Sequence, residues 1–74
     1  MFAAEVRYTS MGATSHLFAR DADGRAVWKR RAKAEAAAQD MAIFLHLPGT
    51  QVDWSAINTK TLPPAWRKTL EAAT

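Results

Sequence analysis

The sequence has no cysteine, only three prolines and three glycines, and no apolar run longer than Met41-Ala42-Ile43-Phe44-Leu45. Without cysteine there is neither a disulfide nor a thiolate metal cluster, the two usual staples of a very small domain. Without a run approaching ~20 apolar residues there is no candidate membrane span. The glycines stand alone at 12, 24 and 49, so no glycine-rich phosphate loop is present. Large apolar side chains are also scarce. Hydrophobic residues make up 49% of the 74, but sixteen of them are alanine. A chain this short buries about 60% of its unfolded surface and gains about 3–5 kcal/mol from its core. That excludes a roomy active-site cavity enclosed by one copy. No period of 20–50 residues repeats and no low-complexity linker divides the chain, so residues 1–74 are expected to form a single domain.

The opening Met1-Phe2-Ala3-Ala4-Glu5 carries an acid where a secretory signal carries bases, which points to a cytoplasmic protein. Acids are missing again, more tellingly, between Arg25 and Lys33. That window holds Arg25, Lys29, Arg30, Arg31 and Lys33, half of the ten basic residues in a chain of net charge +3. Such a cluster suits a phosphate backbone or an acidic protein face.

The chain opens on Phe2, Ala4, Val6 and Tyr8 alternating with Ala3, Glu5, Arg7 and Thr9, the period of a half-buried strand. Ser10-Met11-Gly12-Ala13 reads as a turn and residues 15–20 as a second strand. Asp21-Ala22-Asp23-Gly24 is a strong turn signal: Asp opens it with a side-chain bond and Gly closes it in the left-handed region. Residues 25–30 read as a third strand, with Val27 and Trp28 on opposite faces. Together, residues 1–31 are expected to form a three-stranded antiparallel meander.

From Arg31 to Leu47 alanine dominates, and the period becomes helical. Ala34, Ala37, Ala38, Met41, Phe44 and Leu45 form a stripe that would lie across the sheet, until Pro48-Gly49 stops the helix. Residues 53–74 read as a C-terminal helical segment. In it Asp53 caps a short helical turn through Ile57, and Pro63-Pro64 opens a last helix with Trp66, Leu70 and Ala73 on one side. The expected class is α+β: βββα, a short helical turn and a C-terminal helix.

Catalysis is not expected. Ser15 and His16 are neighbours on a strand and point to opposite faces, so they cannot pair as nucleophile and base. Glu35 and Asp40, five apart on a helix, face different directions. His16 and His46 lack a third converging ligand, and a calcium loop counted from Asp21 would put Ala32 where a bidentate Glu is needed. Neither a metal nor another cofactor is implied. Trp54 and Trp66 read as core. Trp28 reads as core too or, if exposed, as a stacking platform among arginines. Ile43 and Leu47 lie off the stripe, to be covered by the C-terminal helix or else to form a dimer or partner surface.

The string Lys29-Arg30-Arg31-Ala32-Lys33-Ala34-Glu35-Ala36-Ala37-Ala38 resembles the start of the last helix of double-stranded-RNA-binding domains, K-K-x-A-K-x-x-A-A after a three-stranded sheet. The resemblance implies that Lys29, Arg30 and Lys33 contact phosphates. A short, cysteine-free βββα chain with no catalytic set also looks like the small phage-encoded inhibitors, anti-CRISPR proteins among them. That likeness implies a protein of the host cytoplasm that occupies a functional surface of a host protein or nucleoprotein machine. The expected binding residues are Arg25, Trp28, Lys29, Arg30, Arg31 and Lys33, with Arg7 and Arg20 as extensions if their strands adjoin the third. The alternative is a nucleic-acid-binding module using the same residues. A third reading is a homodimer through Ile43, Leu47 and the C-terminal helix.

Overall fold

The structure, a computed structural model, describes residues 1–72. Strand β1 (Phe2–Ser10) is antiparallel to β2 (Ala13–Phe18), joined by Met11-Gly12 with φ of 53° and 80°. Two central residues of positive φ make the tight hairpin turn whose twist matches its strands. Glycine adopts that conformation freely; Met11, fully exposed, adopts it at a cost.

The second hairpin departs from the expected meander. Strand β3 is only Val27–Trp28, and it pairs with the first residues of β1, not with β2. Ala19 donates its amide to the Ala4 carbonyl at 2.9 Å, and the next residue of β1, Ala3, faces Val27. β2 and β3 are therefore one edge interrupted by looped-out residues 20–26. The loop closes as the sequence suggests. One oxygen of Asp21 accepts the amides of Asp23 (2.9 Å) and Arg25 (2.8 Å), and Gly24 takes φ of 82°. Arg25, held there, is not in a strand; Lys29 and Arg30 form a bend.

Helix α1 (Arg31–Leu45) buries Ala34, Ala38 and Ala42, and these short side chains let it lie close to the sheet. It ends at Leu45. There the Leu47 amide donates to the Thr50 hydroxyl, and that hydroxyl donates to the Leu47 carbonyl at 2.6 Å. The helical turn expected at 53–57 does not form: Thr50–Asn58 is a strand, β4, paired antiparallel with the whole of β1. β1 offers a second edge of backbone donors and acceptors, and the chain leaving α1 satisfies it. β3 and β4 are both antiparallel to β1, hence parallel to each other, so β3-α1-β4 is a split β-α-β unit with β1 at its centre.

After a 3-10 turn (Thr59–Thr61), helix α2 (Pro64–Ala72) covers the other face of the sheet, where Leu70 meets the cluster of Ala3, Ala26 and Val27. Pro64 occupies its first turn, as expected. Ala73 lies outside the described residues. The α+β class stands, with helices on opposite faces. That placement leaves Ile43 and Leu47 uncovered at 68% and 60% exposure.

Around α1 the core is Ala4, Val6, Ala19, Trp28, Ala34, Ala38 and Ala56. The large side chains expected inside are partly out: Phe44, Trp54 and Trp66 are exposed, and Trp66 meets Phe18 edge-on at 6.1 Å. An alanine-lined helix-to-sheet gap is thin: Trp28 is the ring buried in it, and Phe2 packs against it only partly buried.

Candidate anion-binding groove

The start of α1 is assembled against electrostatic preference. A helix N-terminus carries unpaired N–H groups and the positive end of the dipole, so it favours acids and a side-chain cap. Here the cap residue is Arg30, in extended conformation, with no side-chain cap bond and no acid in the first turn. Lys29, Arg30, Arg31 and Lys33, all exposed, crowd that positive end.

The looped-out segment 20–26 faces this helix start and makes a groove of about 580 Å³. Its floor is the buried pair Val27 and Trp28, and its rim carries Arg25, Lys29, Arg30 and Lys33 together with Asp21. The Asp21 carboxylate is engaged by loop amides through one of its oxygens. Four cations from three local structures, a loop, a bend and a helix, thus surround one concavity.

Arg31 is not among them. Its guanidinium lies 5.0 Å from the Phe2 ring centroid, and its Nη1 is 3.5 Å from the Ala56 carbonyl, toward β4. Arg7 is excluded as well: it stands beside Glu5 (3.5 Å), on the sheet face that also carries His16 and Asp53. Arg20 does join. It borders an adjoining depression of about 530 Å³ that shares Asp21, Trp28 and Lys33 with the first and runs on past Asp40 to Met41 and Phe44. Trp28, at 8% exposure, forms floor and core; its ring is not presented for stacking.

Sequence reasoning missed the apolar extension of the groove. Phe44 belongs to the expected core stripe, yet it stands at the stripe's margin, where a helical wheel turns a side chain away from the sheet. At 85% exposure it is the most exposed aromatic side chain among the described residues.

The site has the chemistry of anion recognition: two guanidinium forks and two ammonium groups beside the positive end of a helix. Among the described residues no group of three His, Asp or Glu converges on a possible metal position, and His16 and His46 lie on β2 and just after α1. No described helix is long and apolar enough to cross a membrane. No protein-family model, no curated protein and no solved structure matches this chain.

Proposed function

We propose that this chain is a non-enzymatic interaction protein that inhibits or modulates a larger nucleoprotein machine by occupying an anionic surface on it. The groove rimmed by Arg25, Lys29, Arg30 and Lys33 is the contact. One observation carries this reading: the uncapped, acid-free start of α1 is surrounded by cations. The arrangement weakens the free protein, and a bound anion relieves it. The neighbouring Met41 and Phe44 favour a protein-containing target over a duplex backbone, because phosphates gain nothing from an exposed phenyl ring.

In its most specific form, the proposal places the chain with phage- or mobile-element-encoded inhibitors acting in the host cytoplasm, with a CRISPR effector complex as target. The large apolar side chains left beside a basic groove support that reading. The test adds the protein to purified effector complexes of several types and follows target cleavage. Cleavage is expected to fall for one type and to recover when Lys29→Glu/Arg30→Glu replaces the native chain. Full cleavage with every type removes that target.

The burial of Trp28 bears on the second reading, a nucleic-acid-binding module. With the Trp28 ring buried, binding in the groove itself would rest on phosphates. Four cations would then give a salt slope of about −3.6 in log–log form for a DNA duplex. Anisotropy of labelled duplex DNA and RNA at roughly 50 and 200 mM salt measures it. No binding at the lower salt eliminates this alternative.

A further inference from the structure

We infer that β4 is a self-association edge, along which two copies of this chain pair antiparallel with Trp54 on the two-fold axis. This inference is independent of the groove.

The Thr59 amide donates to the Met1 carbonyl at 3.1 Å, so the residues of its parity, Gln51, Asp53, Ser55 and Ile57, turn their amides and carbonyls toward β1. The even residues turn theirs outward. The Ala56 carbonyl, met from outside by Arg31, agrees with that. Val52, Trp54 and Ala56 therefore present a row of outward donors and acceptors, and among the described residues no strand pairs with that edge.

Natural edges are guarded by lysine, proline, bulges or shortness. β4 has nine residues, TQVDWSAIN, with no lysine, no proline and an unbroken register to β1; its guards are limited to the Asp53 carboxylate and the Arg31 guanidinium at the Ala56 carbonyl. The opposite edge is different, because the excursion at 20–26 interrupts it between β2 and β3.

The strand is also complementary to itself. Trp54 is its middle residue. Antiparallel pairing about Trp54 sets Val52 opposite the partner copy's Ala56 and offers about six inter-chain hydrogen bonds from three outward-facing pairs, two of them to Ala56 carbonyls that share their second lone pair with Arg31. It sets Asp53, the strand's one charge, opposite the partner copy's Ser55. A shift of the axis to residue 53 keeps the hydrogen bonds possible but opposes two Asp53 carboxylates, which disfavours it. Trp54, 41% exposed, gains a second ring across the axis.

Sedimentation equilibrium of the full chain over micromolar to millimolar concentration is the experiment. The mass is expected to rise from 8.2 kDa toward twice that value. Trp54→Lys puts two ammonium groups on the axis and should hold the mass at the monomer value, with an unchanged far-ultraviolet spectrum showing that it folds. Ser55→Lys should tighten the dimer about fivefold and Ser55→Asp loosen it by a similar factor, because each faces the partner copy's Asp53. A monomer at all concentrations overturns the proposal. So does a dimer indifferent to all three variants, which would place the contact elsewhere, such as the face of Ile43 and Leu47.

Discussion

The guanidinium of Arg31 lies 5.0 Å from the centre of the Phe2 ring, on the opposite side of α1 from Lys33. This contact divides a run of five cations into two roles. Arg31 ties the start of α1 to β1 and β4, while Arg25, Lys29, Arg30 and Lys33 point into the groove and hold nothing that is their own. Arg31→Ala should therefore lower stability by about 0.5–1 kcal/mol and leave anion binding nearly intact. Lys33→Ala should do the reverse, weakening binding while unfolding free energy stays level or rises by about 0.3 kcal/mol. Urea denaturation and a binding titration on both variants separate the roles; equal effects on both readouts would show the division to be false.

The cap position sharpens the same point. Arg30 has the extended backbone of a helix N-cap, φ −105° and ψ 132°, but no side chain that can accept a hydrogen bond there. Arg30→Asp supplies that acceptor and a charge of the right sign. It is expected to stabilise the free protein by about 1 kcal/mol and to lose partner binding. A loss of stability would mean that the helix start is not strained by its cations.

The extent to which this was readable differs from element to element. The alternation from Phe2 to Thr9 and the alanines of α1 are local patterns, and the structure follows them. Asp21 and Gly24 likewise specify their turn within five residues. β4 was hidden even though Val52, Trp54 and Ala56 alternate with Asp53 and Ser55, because Asp53 before Trp54 also reads as a helix cap. What decides between the two is the unpaired edge of β1, some fifty residues earlier in the chain, which no local window contains. The basic cluster was legible as a list of residues. Its division was not, since the geometry of the 20–26 excursion decides which side chains meet.

The hairpin turn offers a stabilising change. Met11 carries a positive φ of 53° with its side chain wholly in solvent, so it contributes strain and no packing. Met11→Asn should raise stability by about 0.5–1 kcal/mol, since asparagine tolerates that conformation. Gly12→Ala should lower it by about 1 kcal/mol from backbone strain alone, because an added Cβ would meet nothing within 4 Å. Thermal unfolding of the two variants, shifting in opposite directions, is the check.

Phe44 tests what kind of partner the groove takes. A buried phenylalanine replaced by serine would cost several kcal/mol; at 85% exposure this one should change stability by less than about 0.5 kcal/mol. Its effect is therefore free to appear in binding. If the partner is a protein surface, with acidic groups on the four cations and an apolar residue on Met41 and Phe44, Phe44→Ser should weaken the complex about tenfold or more, as central aromatic residues do. Its salt dependence should barely change. If the partner is a phosphate backbone, Phe44→Ser should leave affinity unchanged, while removing any one groove cation lowers the salt slope by about 0.9. The two outcomes differ in both affinity and slope, so one titration series on Phe44→Ser and Lys33→Ala distinguishes a groove that reads shape beside charge from one that reads charge alone.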